Sequence, residues 1–203
     1  PQYRAIYERD GAVRGYVRYR IRSEWGPIAS NSVLVVNELI GMDPIAEREL
    51  WRFCFGVDLI ARIAYRWGPP GHPLLLLLAE PRRLQLRVSD GIWIRIVDVP
   101  AALTARGYAA DGELVIDVGD DFLPEAAGRW RLRVTDGKAT VEATSDPADL
   151  ALDTTDLAAV YMGTFSFAEL ARAARGQELT PGARARADAM FVTSVLPWCS
   201  TPF

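Results

Sequence analysis

Histidine and cysteine are scarce in this chain of 203 residues, which contains only His72, Cys54 and Cys199. One histidine cannot build a metal cluster, and two cysteines are too few for a four-ligand zinc site or a disulfide framework. We therefore expect free buried thiols and no metal. His72 lies in a loop of glycines and prolines at residues 68–73, and no Gly-x-Ser-x-Gly nucleophile motif is near it, so a histidine-dependent hydrolase is not indicated.

A strong charge of one sign and a long apolar run are also missing. The 23 basic and 26 acidic side chains nearly cancel, and no lysine-rich run could hold a nucleic-acid backbone. The longest apolar run, residues 73–79, is far below the ~20 residues that cross a bilayer, and no secretory signal opens the chain. Neither common glycine-rich nucleotide loop occurs. We expect a cytoplasmic protein without a membrane span or a nucleic-acid partner.

What the chain does contain is the composition of a folded α+β protein, with 50% hydrophobic residues. Residues 13–22 alternate between arginine-rich and other positions, which predicts a half-buried strand, and Asp10-Gly11 before them predicts a hairpin turn. Residues 89–91 (Ser-Asp-Gly) likewise predict a hairpin between strands at 84–88 and 92–97. Further strands are predicted at residues 32–39, 59–65, 113–118, 129–134 and 140–143.

Helices are predicted from their start signals. Asp43 can cap a helix whose first position suits Pro44, and Ser166 with Glu169 forms a capping box. A short buried helix is predicted at residues 74–79, and others at residues 100–106, 156–162 and 183–191.

Acidic residues concentrate in one part of the chain. Residues 109–160 carry twelve acidic and four basic side chains. This surplus could attract a cationic substrate, although acidic turns are commonly just hydrated. The pattern leaves both interpretations open.

Four blocks in a fixed order resemble the enhanced intracellular survival (Eis) family of GNAT N-acetyltransferases: residues 50–53, 90–103, 128–132 and 197–203. The resemblance implies a partial GNAT-like mixed sheet with a helix at residues 1–72, followed at residues 73–203 by a sterol-carrier-protein-like sheet covered by helices. It also implies that the acetyl-CoA-binding module of such enzymes is absent from this chain. The residues agree, because Asp43 would place a carboxylate where a pyrophosphate would sit and Pro44 lacks an amide donor.

The resemblance further implies a role for the chain end. In this family the C-terminal carboxylate is the general base, and Phe203 stands at that position. A carboxylate can accept the proton that an ammonium must lose before it is acetylated. Trp93, Asp98 and Trp198 are candidates for binding a cationic amine such as an aminoglycoside or a lysine side chain, although residues of these types more often serve packing or turns.

The resemblance therefore predicts that this chain is part of an N-acetyltransferase, inactive by itself and active with the acetyl-CoA-binding module. The family's general acid is a tyrosine of that module, so none of the seven tyrosines here inherits the role. Relatives form closed oligomers, which implies a homo-oligomer. The alternative is a sterol-carrier-like module that binds lipid or is purely structural, with residues 74–78, Met162 and Phe165 lining a tunnel or filling an ordinary core.

Overall fold

A computed structural model describes residues 1–200 of the chain. The chain forms two compact units, one of residues 1–88 and the other of residues 89–198. The first unit contains a four-stranded sheet in the order β1-β2-β3-β4, in which only the β3–β4 pair is parallel. Its elements are β1 (Tyr3–Arg9), β2 (Ala12–Arg22), β3 (Val33–Gly41), α1 (Pro44–Gly56), β4 (Arg62–Tyr65) and α2 (Leu74–Leu77), followed by a 3-10 turn at Pro81–Arg83.

Local signals explain the start of this unit. Asp10 and Gly11 both have positive φ, as the predicted tight turn between β1 and β2 requires. At the end of β3, a Cβ on Gly41 would lie 2.5 Å from the backbone nitrogen of Glu47. Glycine therefore lets the first turn of α1 approach β3 closely.

The core of the first unit lies between the sheet and α1. It contains Val17, Leu34, Leu50 and Trp51, and it also takes in Leu74 from beyond the proline-rich loop. For this reason the loop at residues 68–73, which includes the module boundary implied by the resemblance, lies inside the first unit, and the units divide between residues 88 and 89.

The second unit contains a five-stranded mixed sheet in the order β7-β6-β5-β8-β9. The β5–β8 pair is parallel and the other pairs are antiparallel. Its strands are β5 (Gly112–Gly119), β6 (Gly128–Thr135), β7 (Lys138–Ala143), β8 (Leu150–Asp153) and β9 (Gln177–Glu178), and its helices are α3 (Val99–Ala105), α4 (Thr154–Tyr161), α5 (Phe167–Arg172) and α6 (Ala183–Phe191).

Apolar faces of the helices close the core of the second unit over this sheet. Leu103, Leu114, Leu132, Leu157 and Met190 are almost fully buried there. The capping box at Ser166 and Glu169 starts α5 as the sequence predicted. The predicted α+β class, with one mixed sheet followed by a second sheet covered by helices, is confirmed.

Two local expectations are wrong. Residues 84–97 contain no strand, because neither arm of the predicted hairpin finds a partner within residues 1–200. The helix at residues 74–77 is buried only at Leu74, whereas Leu76 is 91% exposed. Among residues 1–200, no helix combines the length and the apolar character that a bilayer span requires.

Candidate functional site

The predicted catalytic residue, Phe203, lies outside the described residues. Trp198, just before the chain end, is 48% exposed. Trp93 is far more open, at 81%. Neither of two surface depressions in residues 1–200 includes Trp93, Asp98 or Trp198 in its lining. The substrate-binding role of Trp93, Asp98 and Trp198 therefore stays a prediction.

Asp98 has a clear local task. Its Oδ1 accepts a hydrogen bond of 2.9 Å from the backbone nitrogen of Ala101 and so caps α3. Pro100 in the first turn lacks an amide that would otherwise need a partner. The spacing of Asp98 and Pro100 in the sequence is typical of a helix start. From the resemblance, however, Asp98 was a candidate for substrate binding.

A carboxylate that sequence reasoning missed lies nearby. Asp120, at the end of β5, has a side chain that is only 2% exposed, and Arg95 donates to both of its oxygens at 2.6 and 2.5 Å. The Thr154 hydroxyl and the backbone nitrogens of Phe122 and Leu123 also donate to it. These donors, the Thr154 hydroxyl foremost, lower the pKa of Asp120 to about 2. No sequence motif announces this network, because its members come from separate parts of the chain.

The start of α1 follows directly after β3. Free backbone amides at such a helix N-terminus could bind an anion such as a pyrophosphate. Asp43 Oδ1 accepts hydrogen bonds from the backbone nitrogens of Ile45 and Ala46 at 3.0 and 2.9 Å. Its other oxygen pairs with Arg9 at 2.8 Å. The amide of Ala46, with further help from Arg9, lowers the pKa of Asp43. The protein's own carboxylate thus occupies the positive end of this helix.

The only histidine is part of an aromatic cluster. His72 is 7% exposed, its ring lies 5.4 Å from Trp51 and 5.6 Å from Tyr65, and its Nδ1 accepts a hydrogen bond of 3.2 Å from the backbone nitrogen of Leu74. Burial lowers the pKa of His72, which favours the neutral ring. Its role is to hold the loop before α2.

Other chemistry is limited in the described residues. Burial raises the pKa of the Cys54 thiol to about 11, so Cys54 is not an activated nucleophile. No group of three or more histidine, cysteine or acidic side chains within residues 1–200 is arranged to hold a metal. Of the leucines proposed to line a tunnel or fill a core, Leu74 packs into the core of the first unit and Leu76 is 91% exposed.

Comparison with known protein families accounts for both units. Residues 1–96 match the acetyltransferase (GNAT) domain, and residues 99–200 match the sterol carrier protein domain. N-acetyltransferase Eis of Mycobacterium tuberculosis strain H37Ra is 35% identical over 186 residues, 89% of this chain and 43% of Eis. This chain belongs to the Eis family of GNAT N-acetyltransferases. The family assignment made from the four sequence blocks is confirmed.

Further N-acetyltransferases are similar to this chain. An uncharacterized N-acetyltransferase of Streptomyces coelicolor is 40% identical over 193 residues, 95% of this chain and 47% of that protein. The crystal structure of Eis1 from Mycobacterium abscessus matches with a TM-score of 0.80 and 34% identity, over 93% of this chain and 49% of Eis1. A GCN5-related N-acetyltransferase from Anabaena variabilis, at 24% identity and a TM-score of 0.76, supports the fold alone. The chain spans about half the length of the relatives it matches.

Proposed function

We propose that this chain is the C-terminal half of an Eis-like, acetyl-CoA-dependent N-acetyltransferase that acts on amines such as aminoglycosides or lysine side chains. In this proposal the first unit is the later part of a GNAT-like module and the second unit is a sterol-carrier-protein-like module, with the boundary between residues 88 and 99 and not at residues 72–73. The family membership and the half-length coverage of the relatives support it. The acetyl-CoA-binding module is the chain's main partner in the cytoplasm, within a homo-oligomer.

The contacts at the start of α1 are the observation that supports the assignment of acetyl-CoA binding to a module outside this chain. Asp43 fills the helix N-terminus and pairs with Arg9, so a pyrophosphate would meet a carboxylate instead of free amides. Pro44 further removes one backbone donor. These residues do not fit the phosphates of coenzyme A. We therefore assign acetyl-CoA binding to the module outside this chain.

The contribution of this chain to the reaction is a base. An ammonium substrate must lose a proton before its nitrogen can attack an acyl group, and the α-carboxylate of Phe203 accepts that proton in our proposal. A free α-carboxyl group titrates near ~3.5, so burial in the assembled site has to raise its basicity. Trp93, Asp98 and Trp198 would bind the cationic amine through an aromatic face and a carboxylate.

The first experiment tests where acetyl-CoA binds. Isothermal titration of the 203-residue chain with acetyl-CoA should show no binding, because α1 offers no phosphate cradle. The complete gene product should bind it and acetylate amines. Saturable binding of acetyl-CoA to the 203-residue chain, or amine acetylation by it, would contradict the division of labour.

The second experiment tests the base. One alanine added after Phe203 in the complete gene product displaces the carboxylate and should reduce amine acetylation by about 100-fold or more, the scale of a lost general base. Phe203→Leu is the matched control, since it keeps a carboxylate at the same chain position. Equal turnover of the extended and the unextended enzyme would remove the carboxylate from the mechanism.

A further inference from the structure

Residues 89–97 are an apolar segment without backbone partners. The sequence of residues 92–97 alternates as a strand does, with Ile92, Ile94 and Ile96 on one side and Trp93, Arg95 and Val97 on the other. Yet within residues 1–200 none of these nine residues makes a backbone-to-backbone hydrogen bond. The exposed fractions are 59% for Ile92, 81% for Trp93 and 65% for Val97. Large exposed apolar side chains and backbone groups without hydrogen-bond partners thus occur in the same segment.

The segment is nevertheless held in place at one end. Ile96 is 5% exposed and belongs to the core of the second unit. Arg95 pairs with Asp120, and its guanidinium lies 4.9 Å from the centre of the Phe122 ring. These contacts fix residues 95 and 96 on the second unit. The apolar side chains that precede them are presented outward from a fixed base.

Apolar side chains lie on both faces of residues 92–97, and the one charged side chain among them, Arg95, is paired with Asp120. A strand in a sheet with one solvent-exposed face has one apolar and one polar row of side chains. A strand with apolar side chains in both rows is typically packed against other elements on both faces of its sheet. The partner must therefore supply a sheet edge for the backbone and apolar surface for both rows of side chains. The relatives contain a comparable length of chain beyond the part matched here.

We infer that residues 92–97 join the edge of a β-sheet in the acetyl-CoA-binding module as an added strand. The inference rests on the proposed function, since it takes that module as the partner. The match to the GNAT domain extends to residue 96, which associates this segment with the acetyltransferase part of the relatives. Trp93 then lies at the contact between the modules.

Hydrogen exchange followed by mass spectrometry tests this inference. In the isolated 203-residue chain, the amides of residues 89–97 should exchange as fast as those of an open loop. In the complete gene product they should exchange at least about tenfold more slowly, because strand pairing protects them. Ile94→Asp in the complete product should restore fast exchange there. Ile28→Asp is the matched control, because Ile28 is 99% exposed.

Acetyl-CoA binding, measured on the same samples, separates this inference from the proposed function. If the complete product binds acetyl-CoA but residues 89–97 exchange as fast as in the isolated chain, the docking inference is wrong and the proposed function stands. If acetyl-CoA is not bound, the proposed function fails, and the inferred partner fails with it. Protection that appears in the isolated chain as its concentration rises would identify a second copy as the partner and overturn the inference.

Discussion

At the scale of single residues, several carboxylates in this protein accept hydrogen bonds from backbone amides. Asp43 and Asp98 cap helices, and Asp120 collects donors from Arg95, Thr154 and two backbone amides. Caps can be recognised from local spacing, because the donors follow within three residues. The Asp120 site could not, since Arg95 and Thr154 lie 25 and 34 positions away in the chain.

Asp120 should give the protein a measurable acid dependence. A folded-state pKa of about 2, against an ordinary 3.8, means that the ionised carboxylate stabilises the fold above about pH 4 and that this stabilisation is lost as the pH falls toward 2. Asp120→Asn should lower the unfolding midpoint at neutral pH and flatten the change between pH 2 and 4. Asp121→Asn is the control, because the exposed neighbour has no such donors. Urea unfolding at several pH values checks both; equal behaviour of the two variants would contradict the assignment.

His72 should produce a second pH dependence, at higher pH. Burial lowers its pKa in the folded state, so its neutral form stabilises the fold above about pH 6.5 and this stability is lost as the pH falls through the folded-state value. The carboxylate of Glu47 lies 3.9 Å from Nε2 and has a pKa raised by burial. His72→Asn keeps an acceptor for the Leu74 amide and should remove the slope in this range. Thermal unfolding between pH 5 and 7 measures it, and an unchanged slope would exclude His72.

At the scale of elements, helix starts and tight turns follow from the sequence. The hairpin turn at residues 10–11 forms as predicted, with positive φ at both positions, and residues 136–137 form a similar turn between β6 and β7. α6 begins and ends where its sequence pattern predicts. The strands at residues 84–88 and 92–97 do not form, although their local signals are as strong. A strand needs a neighbour for its hydrogen bonds, and a sequence window does not show whether one is present.

The cap of α1 can be tested apart from its charge. Asp43→Ala removes two hydrogen bonds to the first turn and the pair with Arg9, so we expect the thermal midpoint to fall by about 2–6 °C. Asp43→Asn retains an acceptor for the amides and loses the charge, so it should fall by less. Calorimetry of both variants checks the order. Equal losses for the two variants would show that the ion pair with Arg9, and not the cap, holds the helix.

At the scale of the whole molecule, two units have two cores. Leu34 is fully buried in the core of the first unit and Leu114 in that of the second. The family matches divide the chain in almost the same place, between residues 96 and 99. Each unit therefore has its own source of stability, and the reaction we propose requires a third body that binds acetyl-CoA.

Core truncation should act on one unit at a time. Leu34→Ala and Leu114→Ala each remove a fully buried side chain and should cost about 2–5 kcal/mol in the unit concerned. Hydrogen exchange should show faster opening across the sheet of residues 3–65 for the first variant and across the sheet of residues 112–178 for the second. Faster opening of both sheets in either variant would show that the two cores unfold as one.

The sequence by itself determined the features that depend on neighbours along the chain: the hairpin turns, the caps at Asp43 and Ser166, the class of fold and, through its four ordered blocks, the family. Only the tertiary structure decided that β8 pairs with β5, that Leu74 belongs to the first core, that Asp120 is a satisfied carboxylate and that residues 92–97 lack a partner. The physical reason is the separation along the chain between the groups that interact. Turns and caps are stabilised by atoms a few residues apart, whereas strand pairing, burial and ion pairing depend on which distant segments meet.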